Sequence, residues 1–180
     1  MKRAGSARPF WLFAWWPAWA FLASAVMLAI AHAFQTFGHL APCHLCLKQR
    51  EVYWTALAVS AGAALAQWAT GRGAGALLGG VLLTVVFAYG AYLAGFHAGA
   101  EWKWWPAPQS CASAGPVSLK DLSALLRGAP SHAPACDVAP WRLLGLSMAG
   151  WNFLISVALA ILSLVSALAA ANKGGQRRKT

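Results

Sequence analysis

Charge is scarce in this sequence, and acidic charge scarcest of all. Four Asp and Glu stand against 14 Lys and Arg in 180 residues, and charged side chains make up only 10% of the chain. A chain this poor in charge, 59% hydrophobic and with a mean hydropathy of +0.55, lies outside the range of soluble domains. Its expected solvent is a bilayer. A net charge of +10 would suit a nucleic-acid binder, but the basic residues are not interleaved along any recognition element, so nucleic acid is not an expected partner. The sequence also lacks a soluble domain, a nucleotide-binding loop, an internal repeat and any low-complexity tract beyond alanine bias.

What is present is long apolar runs with basic ends. Lys2, Arg3, Arg8, Arg72, Lys173, Arg177, Arg178 and Lys179 fall at the two termini and one short turn with no acid beside them. All four acids, Glu51, Glu101, Asp121 and Asp137, share the other segments. That asymmetry is the positive-inside pattern, with both termini and the 71–73 turn cytoplasmic. Runs at 10–34, 52–70, 74–96 and 149–171 are each about long enough to cross the hydrocarbon core, which takes ~20 residues. The first exceeds the ~7–15 apolar residues of a secretory signal, although Ala31-His32-Ala33 has the small-residue form of a cleavage site. Pro17 within it is expected to kink the helix. Gly79, Gly80 and Gly90 are expected to permit close helix packing.

The expected fold is therefore all-α, a polytopic four-helix membrane bundle forming one domain over 1–180. Its translocated side carries a short first loop at 35–51 and a long second loop at 97–148. In the second loop, Ser118 and Asp121 precede Leu119, Leu122, Leu125 and Leu126, predicting a short interfacial helix that stops at Gly128. Glu101 to Pro106, rich in Trp, is expected at the headgroup level.

The chemistry sits in Pro42-Cys43-His44-Leu45-Cys46-Leu47-Lys48-Gln49-Arg50. Pro42 is predicted at the first helical position, so Cys43, Cys46 and Arg50 share one face at spacings of three and four. A helix N-terminus and a nearby cation both favour thiolate, making Cys46 a candidate reactive sulfur. Thiol–disulfide exchange at a membrane surface follows. Arg50 is either a snorkelling anchor or a cation that steadies a thiolate and an anionic oxygen of a ligand from the lipid. His97, expected at a similar depth, is either an interfacial cap or a hydrogen-bond donor to the same ligand. His39 and His44 raise a zinc reading, but no second ligand pair stands at zinc-finger spacing and Arg50 repels a cation, so no metal is expected. Cys111 and Cys136, expected in exposed loop, leave two readings open. They are a staple worth about 3.5 kcal/mol for a loop of about 25 residues, or a labile functional bond.

Pro-Cys-x-Leu-Cys-x-x-x-Arg at Pro42 to Arg50, a long second loop with two further cysteines, and Leu-Gly-Leu-x-Met at Leu144 to Met148 resemble the disulfide bond formation protein B (DsbB) family. The stretch Gly99 to Cys111 looks most like its alphaproteobacterial branch. The resemblance implies a bacterial inner-membrane enzyme that reoxidises a periplasmic DsbA-like thiol oxidase and passes two electrons to ubiquinone or menaquinone, and so to the respiratory chain. It further implies that Cys111 is attacked by the partner with Cys136 as its companion, and that Cys136 meets Cys43. Cys46 then faces the quinone beside Arg50, with His97 near the ring. Two rival readings remain: a quinone reductase of the vitamin K epoxide reductase type, and a non-enzymatic membrane or metal-handling protein with structural disulfides.

Overall fold

The computed structural model describes residues 13, 15–70, 74–108, 111 and 135–177. Four long helices carry the fold: α1 (Trp16–Thr36), α2 (His44–Thr70), α3 (Ala74–Glu101) and α4 (Met148–Arg177). At 1.5 Å per residue their 21 to 30 residues reach roughly 30 to 45 Å, about the thickness of a bilayer. Three of them, α1, α3 and α4, are long and apolar enough to cross a membrane. The second has the length, but Lys48, Arg50 and Glu51 open it and Gln49, Ser60 and Gln67 lower its apolar character. Those last three are buried, so α2 turns its polar groups inward.

That inversion runs through the bundle. Ser24, Ser60, Ser156, Ser163 and Ser166 are buried, whereas Leu65, Trp68, Leu78, Val85 and Ile161 face outward. In lipid the outer face gains nothing by being polar, and association rests on small residues and interhelical hydrogen bonds. Trp16 Nε1 donates to Ser163 Oγ at 2.9 Å, tying α1 to α4 near the basic ends. Gly80 allows α3 to meet the Ala167 backbone of α4, where an added Cβ would lie 3.0 Å away. Leu83 and Phe87 fill the centre with Tyr53, Leu28 and Leu159.

Each helix packs on its sequence neighbour: α1 on α2, α2 on α3, and most extensively α3 on α4. The first and last helices, α1 and α4, touch far less. The gap lies next to the cysteine end of the bundle.

Several expectations need correction. Pro17 lies in the first turn of α1 rather than within the helix, a place where a proline removes no intrahelical bond. Helix α3 does not stop at Phe96 but runs through Glu101, so His97 is a buried helical residue rather than an end cap. Glu101 is likewise buried within the bundle. The chain then reverses at Lys103, whose φ of 61° is left-handed, while Trp104 N–H reaches back to Gly99 O at 2.9 Å. Ahead of α4, β1 (Arg142–Leu143) and β2 (Leu146–Ser147) pair through a two-residue turn at Leu144 and Gly145, both with positive φ. This is the geometry of a primed hairpin turn. The interfacial helix expected from Ser118 to Gly128 lies outside the described residues.

Candidate active site

The start of α2 differs from the expected cap. Pro42 precedes the helix and Cys43 itself occupies the cap: its carbonyl accepts from Leu47 N–H at 3.1 Å and its sulfur accepts from Cys46 N–H at 3.2 Å. The two sulfurs stand 2.6 Å apart, nearer than non-bonded contact and longer than the ~2.05 Å of a disulfide. In this reduced pair the proton is shared unequally. The hydrogen bond with Cys43 lowers the Cys46 pKa below the usual 9.0 and outweighs burial, while the charges of Glu101 and Arg50 act in opposite directions and to a lesser degree. Cys43 is pushed up, first by that same hydrogen bond and then by burial. Of the two, Cys46 is the sulfur that ionises more readily.

Cys111 and Cys136 form a disulfide, and both are buried rather than exposed on a mobile loop. The reason lies in the segment after α3. Gly99 leaves room for the Trp105 ring, which would stand 2.0 Å from an added Cβ; Trp105 stacks on Phe96 and donates from Nε1 to Phe96 O at 2.9 Å. That fold-back delivers Ala107 and Cys111 onto α2, where Cys43, Leu45, Cys111 and Cys136 form one buried cluster with Cys46 and Phe96 against it. Lys103 holds the other side, its Nζ bonding both the carboxylate and the backbone carbonyl of Asp137.

All four cysteines therefore converge. The sulfurs of Cys43 and Cys136 and a ring nitrogen of His97 lie within 4.8 Å of one another, and His97 Nε2 is 3.7 Å from Cys43 Sγ. The three are ligand-type atoms, but the Cys136 sulfur is committed to its disulfide.

Beside the cluster, in the gap between α1 and α4, lies a cavity of about 270 Å³. Met27, Ala31 and Phe34 of α1 face Trp151, Asn152 and Ile155 of α4 across it, and Cys46, Arg50, His97 and Glu101 line it too. Phe34 packs on Trp141 at 5.1 Å between ring centres. The Arg50 guanidinium spans to α1, donating to Gln35 Oε1 at 2.6 Å and Ala31 O at 2.8 Å, which fixes the charge at the cavity wall.

Sequence reasoning did not find the polar chain behind His97. Gln49 bonds His97 Nδ1 at 2.9 Å, Asn152 bonds Gln49, and Tyr53 bonds Asn152 and Ser156, all of them buried. The signal was available, since Gln49 and Tyr53 on α2 and Asn152 and Ser156 on α4 recur at four-residue spacing. Among the described residues Glu101 Oε2 has no hydrogen-bond partner, while its Oε1 lies 3.7 Å from His97 Nε2.

The family model described as Disulfide bond formation protein DsbB matches residues 13–166. Disulfide bond formation protein B of a Polaromonas species is 30% identical over 149 residues, which is 80% of this chain and 84% of that protein. The protein of the same name from Methylococcus capsulatus is 34% identical over 155 residues, 81% and 88% of the two chains. That from Dechloromonas aromatica is 32% identical over 150 residues, 77% and 84%.

Proposed function

The chain belongs to the DsbB family of disulfide bond formation proteins, membrane disulfide oxidoreductases, and from that premise we propose that it reoxidises a DsbA-like periplasmic thiol oxidase and delivers the two electrons to a membrane quinone. The observation that carries the reading is the convergence of two cysteine pairs in one buried cluster beside an apolar cavity. A disulfide made by exchange alone only relocates the oxidising equivalent, so a terminal acceptor is required. The cavity suits a flat apolar ring bearing carbonyl oxygens: its walls are aliphatic and aromatic, and Arg50 supplies one fixed cation. Met27, Ala31, Phe34, Trp151 and Ile155 would hold the ring, with Arg50 toward an oxygen. A quinone bound there supplies a two-electron, two-proton acceptor.

The thiol steps balance as follows. A partner thiolate attacks Cys111; the bond to Cys111 forms, the Cys111–Cys136 bond breaks, and the electron pair leaves on Cys136. That thiolate attacks Cys43 of an oxidised Cys43–Cys46 pair, the Cys136–Cys43 bond forms, and Cys46 leaves as thiolate beside Arg50. The partner's second thiol displaces Cys111 and departs oxidised. Cys111 then attacks Cys136, closing their bond and freeing Cys43. Cys43 and Cys46 lose two electrons and two protons to the acceptor and close again.

In this reading α2 spans the membrane with the other three helices as one domain of an inner-membrane protein. Both termini are cytoplasmic and the cysteine end is periplasmic. The test is stoichiometric: purified protein, reduced partner and ubiquinone or menaquinone without oxygen should consume one quinone per partner dithiol oxidised. A partner that stays reduced with quinone in excess sinks the reading.

A further inference from the structure

His97 has two ring nitrogens with opposite surroundings. Its Nδ1 faces the side-chain nitrogen of Gln49 at 2.9 Å, an arrangement in which the amide donates and Nδ1 accepts. Gln49 is held in that orientation because its Oε1 accepts from Asn152 Nδ2 at 2.5 Å. Asn152 is oriented in turn by hydroxyls converging on its Oδ1, Tyr53 at 2.5 Å and Ser156 at 3.5 Å. The donors all point one way, toward His97. On the far side, Nε2 faces the Cys43 sulfur and Glu101 Oε1, each at 3.7 Å, and the ring also hydrogen-bonds the Cys136 backbone. The Glu101 contact is too long for a hydrogen bond, but a carboxylate oxygen there disfavours a lone pair on Nε2. A neutral His97 in this setting carries its proton on Nε2, the nitrogen beside the Cys43 sulfur.

We propose that His97 is the fixed N–H donor at the junction of the two cysteine pairs, stabilising negative charge on the Cys43 and Cys136 sulfurs as the disulfide passes between them, and that Gln49, Asn152 and Tyr53 are positioning residues that set its tautomer. The inference rests on the relay proposed above and assigns His97 to the sulfur exchange rather than to the molecule in the cavity. In the step concerned, Cys136 thiolate bonds to Cys43, the Cys43–Cys46 bond breaks and the electron pair departs on Cys46. The His97 proton stays on Nε2 throughout. A donor preorganised where charge develops, in a water-poor cluster, costs no reorganisation at the moment of transfer. The chain Tyr53–Asn152–Gln49 serves that preorganisation as partners behind a metal-bound histidine serve its ligand role. It also explains why four polar groups are kept in the centre of a membrane bundle, where each must be fully paired.

The experiment has two arms on the full chain in detergent. In the first, ring-15N-labelled histidine is observed by NMR, with His97→Gln used for assignment. The expected spectrum shows one Nε2-protonated tautomer for His97, and Gln49→Leu should turn it into a mixture. A proton on Nδ1 in the wild type overturns the proposal. In the second arm, turnover is measured with reduced partner against quinone concentration. His97→Gln and Gln49→Leu should lower kcat about tenfold to a hundredfold with quinone KM unchanged, and the nearly isosteric Tyr53→Phe should do so to a smaller degree. A raised quinone KM with kcat intact in His97→Gln contradicts the proposal, because His97 would then serve the cavity. A wild type that does not reduce quinone defeats the quinone step of the proposed function, whereas the tautomer spectrum tests the His97 donor independently of quinone.

Discussion

The sulfurs of Cys43 and Cys136, from two different loops, lie within 4.8 Å of one another while each belongs to its own cysteine pair. Neither pair has to travel to meet the other. A thiolate generated on either sulfur finds the next one already in reach, inside a cluster from which water is largely excluded.

Removing the competing thiol should therefore trap the bridge. In Cys46→Ser, Cys43 has lost the partner 2.6 Å away, and its remaining target is Cys136. Peptide mapping without reductant should find a Cys43–Cys136 disulfide and a free Cys111 that takes up maleimide. An intact Cys111–Cys136 bond after exposure to a thiol–disulfide buffer would show that the two pairs do not exchange.

Arg50 holds its charge at the cavity wall through Gln35 and Ala31 O. Arg50→Ala should raise the quinone KM by about tenfold or more, the scale of a charged hydrogen bond of ~1.5–3 kcal/mol. Lysine should recover only part, since a point charge cannot bridge both α1 acceptors. Unchanged kinetics at limiting quinone in Arg50→Ala would leave Arg50 as a mere interfacial anchor.

The reduced protein should show a pH signature with a definite sign. Cys46 is lowered, chiefly by the Cys43 thiol, so its alkylation by iodoacetamide should titrate below the usual 9.0, and Cys43→Ala should move that midpoint upward. For a depressed folded-state value, the contribution to stability is fully present above the unfolded 9.0. It is lost as pH falls through the folded pKa. Cys43 acts oppositely: its raised value costs stability as pH climbs past 9.0. Thermal unfolding of the reduced form should accordingly gain stability with rising pH up to about 9 and lose the advantage beyond. A Cys46 midpoint at or above that of free cysteine would contradict the assignment.

Gly99 controls where Cys111 lies, because the Trp105 ring occupies the place of its side chain. Gly99→Val should unseat Trp105 and destabilise the fold by about 1–3 kcal/mol, as overpacking does. It should slow oxidation of the protein partner far more than quinone reduction driven by a small dithiol that reaches Cys43 and Cys46 directly. Equal slowing of both would mean that the fold-back supports the whole bundle rather than the Cys111 pair.

Much of the site was readable because its residues sit at fixed helical spacing. Cys43, Cys46 and Arg50 appear on one face from their intervals alone, and Cys46 and Arg50 do line one cavity. The four helices follow from apolar runs, although α2 falls short as an apolar span because its buried face is polar. The fold-back was hidden, since nothing in Glu101 to Pro106 distinguishes a Trp at the headgroups from a Trp stacked on Phe96. The burial of Cys111 and Cys136 was lost with it, because a Ser-, Ala- and Pro-rich context reads as exposed. The depth of His97 and Glu101 required knowing that α3 continues one more turn.

The most direct test of the electron route is quinone reduction by the purified protein in detergent, comparing wild type, Cys46→Ser and Cys111→Ser with a reduced protein partner and with a small dithiol. The account predicts that wild type reduces quinone with both donors and that Cys46→Ser is inactive with both. Cys111→Ser should fail with the protein while still working with the small dithiol. Quinone reduction that survives in Cys46→Ser, or a Cys111→Ser variant that still oxidises the protein partner, would contradict the order Cys111 and Cys136, then Cys43 and Cys46, then quinone.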